Sequence, residues 1–263
     1  MDTLEAEMFF SKHWRTDLTC VIILKFFFIP VTLFADSSAG EAQDTVILVH
    51  GLGRTANSML VLKYRLEKAG YHVVSESYPS TTKKIQEHSE WLQNIIDQSI
   101  KDRPGTGKVH FVTHSMGGII IRCLFAARKP DNLGRVVMLS PPNAGSEIVD
   151  FLKEHKLFQN LLGPSGQQLG TDAKSIPQIL GPVDFELGII TGNVSYSPIS
   201  SLFITGEHDG KVSIESAKIE GMSDFLIVHT GHTFIVNSTR VGEQVTYFLK
   251  YGKFIHTEEE SVK

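Results

Sequence analysis

Short apolar runs alternate with helix-periodic segments along most of the chain. The runs with the length of buried strands are 45–50, 72–78, 108–114, 135–140, 201–206 and 224–229. Helical periodicity marks the segments 58–70, 85–101, 116–129 and 239–252. Strands and helices that alternate in this way are typical of a parallel sheet covered by helices. We therefore predict an α/β fold with a mostly parallel sheet.

The alternation is interrupted between residues 146 and 200, where Gly, Pro and scattered apolar residues replace it. We interpret this stretch as a cap inserted above the sheet of a domain that spans 44–254, followed by a polar tail at 255–263. The apolar residues of the cap form two short clusters: Ile148, Val149, Phe151, Leu152, Leu157, Phe158, Leu161 and Leu162. Two interpretations stay open, because helices with this pattern either cover a pocket as a lid or pack on the sheet.

The N-terminal part of the chain contains a long apolar run at 18–35. Lys25 and Pro30 interrupt the run, and it is short for a membrane-spanning helix, which needs about 20 apolar residues. With the small residue Ala35 at its end, the run favours the core of a signal peptide. Acidic residues upstream are unusual in a signal peptide, and they leave an uncleaved anchor or a simple extension as alternatives. We expect residues 1–43 to be a leader and linker, and the protein to be exported or membrane-anchored.

The composition of the chain excludes several classes of function. The 263 residues are 41% hydrophobic and 21% charged, which is typical of a globular domain. The net charge of −4 and the lack of a basic stripe with aromatic residues predict no nucleic-acid partner. The two cysteines, Cys20 and Cys123, have no spacing typical of a metal site or a disulfide framework. We expect neither a metal nor an organic cofactor.

A serine lies at the boundary between an apolar strand and an apolar helix, in the stretch KVHFVTHSMGGIIIR. On a sharp strand-to-helix turn, the hydroxyl of Ser115 would project above the sheet, as a nucleophile requires. Such a turn brings the residues two positions away into close approach, so their side chains must be small. Gly117 meets this condition, whereas Thr113 stands where the usual G-x-S-x-G pattern has its first glycine. A serine that only caps the helix is the alternative.

A serine nucleophile needs a base and an acid that orients the base. On this type of sheet the order along the chain is Ser, then Asp or Glu, then His, each on a loop after a strand. Asp209 follows the run 201–206, and His232 follows the run 224–229. We favour Asp209 over Glu207, since the Asp-Gly turn would aim a short carboxylate at an imidazole. The base is His232 in this interpretation, with His229 and His208 as alternatives.

The motifs VILVHGLG, THSMGG, SPPNAGSEIVDFL, GEHDGKV and GHTF together resemble the α/β-hydrolase superfamily, and within it the bacterial lipases and esterases. The resemblance implies Ser115 as nucleophile, His232 as base and Asp209 as acid. It also implies that the backbone N–H groups of Leu52 and Met116 bind the oxyanion. The segment 141–152 is similar to the stretch that leads into the lid of such lipases.

The expected activity is hydrolysis of a small-molecule or lipid ester of short to medium acyl chain through an acyl-enzyme intermediate. An acyltransferase or thioesterase would use the same residues, because only the acceptor or the leaving group differs. A protein that has lost turnover and binds an apolar ligand is a third interpretation, suggested by Thr113. The N-terminal segment or the cap could associate with a membrane.

Overall fold

The structure is a computed structural model that describes residues 43–103 and 107–257. The predicted leader at 1–42 and the end of the polar tail at 258–263 lie outside the described residues. Six parallel strands form one sheet in the described part, in the order β2-β1-β3-β4-β5-β6. The strands are β1 Thr45–Val49, β2 His72–Ser75, β3 Val109–His114, β4 Leu133–Leu139, β5 Leu187–Gly192 and β6 Asp224–Val228. The predicted parallel α/β architecture is confirmed.

Helices cover both faces of this sheet. They are α1 Leu60–Lys68, α2 Ile85–Asp102, α3 Met116–Ala127, α4 Glu147–Lys153, α5 Lys156–Gln167, α6 Ile176–Ile179, α7 Ile214–Ala217 and α8 Thr239–Tyr251. Shorter 3-10 turns lie at Ala56–Met59, Ser200–Leu202 and Ile235–Asn237. Within the described residues, no helix combines the length and the apolar character needed to cross a bilayer.

Alternate side chains of β1 belong to two separate hydrophobic cores. Ile47 and Val49 lie in a core with residues of α2 and α3, whereas Val46 and Leu48 lie in a core with residues of α1 and α8. Successive side chains of a strand point to opposite faces, so a strand that is apolar throughout must be buried on both. This explains why the strand sequences read as continuous apolar runs rather than as alternating ones.

The prediction of a strand at 201–206 is wrong. A 3-10 turn occupies Ser200–Leu202, and the side chain of Leu202 is 77% exposed. The strand between β4 and β6 is β5, whose sequence LGIITG is buried throughout. The runs 187–192 and 201–206 are similar in composition, and they differ in that only the first pairs with both neighbouring strands. The predicted cap at 146–200 therefore contains a strand of the main sheet, and its helices α4, α5 and α6 all precede β5.

Candidate active site

Ser115 lies on the sharp turn between β3 and α3, as its position in the sequence predicts. Its backbone has φ 53° and ψ −123°, a conformation that residues other than glycine rarely adopt. Hydrogen bonds hold the turn on both sides: the Ser115 N–H donates to Leu139 O at 2.8 Å, and the Gly118 N–H donates to Ser115 O at 2.9 Å. Strained conformations of this kind cost about 1–3 kcal/mol and persist only where the surrounding structure holds them.

Two glycines allow the end of β1 to approach this turn. A Cβ on Gly117 would lie 2.5 Å from the carbonyl oxygen of Val49, closer than any side-chain carbon can pack. A Cβ on Gly51 would lie 3.1 Å from the Cβ of Ser115. The close approach that the sequence predicted for Gly117 is therefore present. It also brings the loop that follows β1, and with it Leu52, against the serine.

Thr113 is buried, and the turn that follows it brings Ser115 within 3.0 Å of His232. The threonine side chain lies in β3, beside α3. A Cβ on Gly118 would lie 3.4 Å from Thr113 Oγ1 and 3.1 Å from Met138 Sδ. The second glycine of the THSMGG motif therefore lies beside the threonine that replaces the usual glycine on the strand.

We expect Gly117→Ala to lower the free energy of unfolding by about 1–3 kcal/mol, because its methyl group would overlap a backbone carbonyl that cannot move alone. The gain in helix propensity, about 1 kcal/mol, is too small to offset this. The displaced serine should also lose about 10- to 100-fold in kcat. Denaturant unfolding and ester kinetics would measure the two effects.

Gly118→Ala is the matched control on the same helix. Its methyl group would meet the flexible side chain of Met138 and Pro141 Cβ, both at 3.1 Å, rather than a backbone carbonyl. It should therefore lower the free energy of unfolding and kcat less than Gly117→Ala does. Equal losses for the two variants would show that the approach to β1 is not what positions Ser115.

Ser115, His232 and Asp209 form a continuous hydrogen-bonded chain. His232 Nε2 lies 3.0 Å from Ser115 Oγ, and His232 Nδ1 lies 2.8 Å from Asp209 Oδ2. His232 and Asp209 are 5% and 2% exposed, and Ser115 is partly exposed beside them. An imidazole held between a hydroxyl and a carboxylate in this way can accept a proton from the hydroxyl.

The carboxylate of Asp209 is held ionised and fixed in orientation. Burial alone would raise its pKa, but the facing His232 and hydrogen bonds from the protein outweigh burial and lower the pKa to about 2. Its Oδ1 accepts from the backbone N–H groups of Lys211 at 3.0 Å and Val212 at 2.9 Å, which leaves Oδ2 for His232. A Cβ on Gly192 would lie 3.1 Å from Asp209 Cβ, so the acid lies beside the end of β5.

The residues that the sequence left open as the base or the acid have other surroundings. His229 contacts Asn193 Oδ1 at 3.2 Å, and His208 contacts Ser201 Oγ at 3.1 Å. Glu207 is exposed to solvent, whereas Asp209 is buried against His232. His50 contacts the carbonyl of Gly51 at 2.9 Å, which suits a residue that shapes the loop after β1.

His114 supports the backbone of the histidine loop. Its Nε2 donates to the carbonyl oxygen of His232 at 2.9 Å, and the two rings lie 4.9 Å apart. Complete burial lowers the pKa of His114 to about 3, and the neighbouring His232 adds to this. His114 therefore stays neutral at ordinary pH, and its donated hydrogen bond helps to hold the loop that carries His232.

Of the two residues that the resemblance assigned to the oxyanion, one follows Ser115 in the chain and the other lines the same cavity. Met116 is the next residue, fully buried at the start of α3. Leu52 follows Gly51, where an added Cβ would meet the serine, and it lines the cavity above Ser115. Binding of an oxyanion by their N–H groups stays a prediction.

A cavity of about 440 Å³ opens above Ser115 and His232. Much of its wall is aliphatic and comes from α4, α5 and the segment that follows: Ile148, Val149, Leu152, Leu161, Leu162 and Leu169. Helix α5 is kinked at Gly163, and Gln168 Oε1 accepts from the N–H of Ile85 at 2.8 Å, which ties this segment to the start of α2. The side chains of Leu157 and Phe158 lie outside the described part of the structure.

Part of the chain matches a known family of proteins. The α/β hydrolase fold family matches residues 44–163, which include Ser115 but neither Asp209 nor His232. No curated protein sequence matches the chain significantly.

Several solved structures are similar in fold. The mature form of a lipase from Bacillus licheniformis has a TM-score of 0.62 and 18% identity, over 81% of this chain and 93% of that one. Phospholipase PlaB of Legionella pneumophila has a TM-score of 0.63 and 16% identity, over 80% of this chain and 60% of its own length. A monoacylglycerol lipase from Paleococcus ferrophilus has a TM-score of 0.51 and 18% identity, over 79% and 93% of the two chains. At these identities the likeness establishes the fold.

Proposed function

We propose that this chain, which has an α/β-hydrolase fold, hydrolyses carboxylic esters by serine catalysis. Its structural neighbours include lipases and a phospholipase. The observation that carries the proposal is the hydrogen-bonded chain from Ser115 through His232 to Asp209, with contacts of 3.0 and 2.8 Å. A serine that only caps a helix would need neither the strained backbone nor a buried imidazole on its hydroxyl.

The first half of the reaction transfers the acyl group to the enzyme. Ser115 Oγ attacks the ester carbonyl carbon while His232 Nε2 takes the hydroxyl proton, and Asp209 stabilises the imidazolium that results. The carbonyl oxygen becomes an oxyanion, to which the N–H groups of Leu52 and Met116 would donate. When this intermediate collapses, the ester C–O bond breaks and the alcohol leaves with the proton from His232.

The second half releases the acid. A water molecule gives a proton to His232 Nε2 and attacks the acyl carbon, and a second oxyanion forms at the same place. Its collapse breaks the bond to Ser115 Oγ, which recovers the proton from His232. The products are a carboxylic acid and an alcohol, and the protein returns to its starting state.

The aliphatic cavity supports an acyl chain as the part of the substrate that lies against α4 and α5. Apolar side chains are also exposed at this cavity or beside His232, on α5 and on the loops after β5 and β6: Leu161, Tyr196 and Phe234. Exposed apolar side chains grouped around a cavity favour contact with an apolar substrate or a lipid surface. We therefore propose short to medium acyl esters or lipids as substrates, with α4 and α5 as the cover of the acyl site.

The test is hydrolysis of p-nitrophenyl esters from acetate to palmitate by the full chain, together with labelling by a fluorophosphonate probe. We expect turnover with an optimum at short or medium chains, and a probe adduct on the peptide that carries Ser115. A protein that hydrolyses no ester of the series and does not react with the probe would refute the proposed function.

A further inference from the structure

Two basic side chains, Arg54 and Lys211, line the cavity above Ser115. Arg54 Nη2 donates to Thr233 Oγ1 at 3.3 Å, next to His232 in the chain. Lys211 is two residues from Asp209, and its backbone N–H donates to that carboxylate. In the part of the chain that the structure describes, neither side chain forms an ion pair with a carboxylate. The mouth of the cavity thus carries two basic side chains that form no ion pair among the described residues, and the carboxylate of Asp209 nearby is already bound to His232.

These two cations are close enough to repel each other. Partial burial lowers the pKa of Lys211, and the positive charge of Arg54 lowers it further, while Asp209 acts in the opposite direction. Both side chains are exposed to solvent, so an anion can reach them, and two like charges at the edge of one cavity favour an anion bound between them.

The two cations lie on the His232 side of the site. A second, smaller cavity of about 240 Å³ adjoins the first there, and Lys211, His232, Thr233, Tyr196 and Phe234 are among its lining residues. Lys211 and His232 line both cavities. In serine catalysis the leaving alcohol departs beside the histidine that protonates it. The smaller cavity is therefore placed for the alcohol part of an ester, and the aliphatic cavity for the acyl part.

We propose that the alcohol part of the substrate carries an anionic group of the phosphate class, which Lys211 and Arg54 bind beside His232. This inference rests on the proposed function and specifies the substrate of the same site. The guanidinium of Arg54 can donate two parallel hydrogen bonds to a phosphate, and the ammonium of Lys211 adds a point charge. The substrate class is an acyl ester of a phosphorylated polyol, of which a phospholipid with an anionic headgroup is one form.

A matched pair of soluble substrates tests the proposal: monohexanoylglycerol and its phosphate monoester, which share the scissile ester and differ in the phosphate. The readout is the ratio of kcat/KM for the phosphorylated ester to kcat/KM for the neutral one. We expect the ratio to exceed one in the native protein. Lys211→Gln and Arg54→Gln should each lower it about tenfold, the usual effect of one charge-assisted hydrogen bond, and the double variant should lower it further.

Lys253→Gln is the matched control. Lys253 is exposed and follows α8, while neither cavity includes it, so its loss changes the net charge equally without touching the site. It should leave the ratio unchanged. If a variant fails to fold, the native protein still answers the question, since raising the salt concentration should lower its ratio by screening the two cations.

Inorganic phosphate, added to the assay with the neutral ester, separates a headgroup from a free phosphate as the source of the anion. Competitive inhibition together with preference for the phosphorylated ester supports the proposal. Inhibition without that preference would overturn it, because the cations would then bind free phosphate rather than substrate. A ratio at or below one in the native protein, or a ratio that the two substitutions do not lower, would also overturn it. Absence of Ser115-dependent turnover of both esters would instead refute the proposed function.

Discussion

Ser115→Ala should lower kcat for every ester that this protein hydrolyses by about 10⁴- to 10⁶-fold. The variant keeps the cavity and the backbone N–H groups but has no hydroxyl for His232 to activate, 3.0 Å from its Nε2. Because the hydroxyl forms a covalent bond to the acyl group, no neighbouring group can replace it by binding alone. Steady-state kinetics with p-nitrophenyl esters would measure the loss, with thermal unfolding as a check on the fold.

Two further variants make this prediction specific. Ser99→Ala removes a hydroxyl that bonds within α2, to the carbonyl of Ile95, and it should retain nearly all activity. The double variant Ser115→Ala/His232→Ala should be no slower than Ser115→Ala, because residues that act as a unit give strongly non-additive losses. Residual turnover of Ser115→Ala that disappears only in the double variant would contradict serine catalysis.

Asp209→Asn should lower kcat by about 10⁴-fold although it changes almost no volume. The backbone N–H groups of Lys211 and Val212 both donate to Oδ1, so the asparagine must keep its oxygen there and turn its NH₂ toward His232. That NH₂ would donate to His232 Nδ1 and place the ring proton on Nε2, which faces Ser115. In this tautomer the histidine cannot take the proton of the serine.

Glu207→Gln is the control for Asp209→Asn, since Glu207 is the exposed acid that the sequence alone could not exclude. It should retain activity, and a larger loss for Glu207→Gln than for Asp209→Asn would reverse the assignment of the acid.

Acid unfolding gives a second readout for Asp209→Asn. The pKa of Asp209 falls from its ordinary 3.8 to about 2 in the folded protein. Its ionised form therefore stabilises the fold at pH values above this range. The native protein loses this stabilisation as the pH falls from about 4 to 2. The free energy of unfolding of Asp209→Asn should change less with pH over the same range.

The turn that carries Ser115 could be predicted from the sequence because the residues that determine it are neighbours along the chain. The apolar strand, the serine and the glycines of THSMGG lie within a few residues of each other, and they predicted the turn between β3 and α3. The same reasoning was wrong at 201–206, since a short apolar run has the same pattern whether it joins the sheet or forms an exposed turn. Burial between β4 and β6, a long-range property, selected β5 instead.

The charges at the cavity were missed for a related reason. Arg54 and Lys211 each lie in a polar loop, where a basic residue does not by itself predict a binding site. Their importance depends on their proximity to each other and on the smaller cavity beside His232, which no motif encodes. The order of Ser115, Asp209 and His232 along the chain was the one long-range signal available, and it did name residues that the fold brings together.

Periodicity, glycine placement and the order of polar residues therefore predicted the α/β architecture and the serine turn, and they favoured Asp209 and His232 without excluding their alternatives. Packing had to decide which apolar run became β5, which carboxylate faced the imidazole and where the two cations met. The physical reason is that backbone propensity and hydrophobic period act over a few residues. The contact between Ser115 and His232 joins positions 117 residues apart, and it exists only because parallel strands end at the same edge of one sheet.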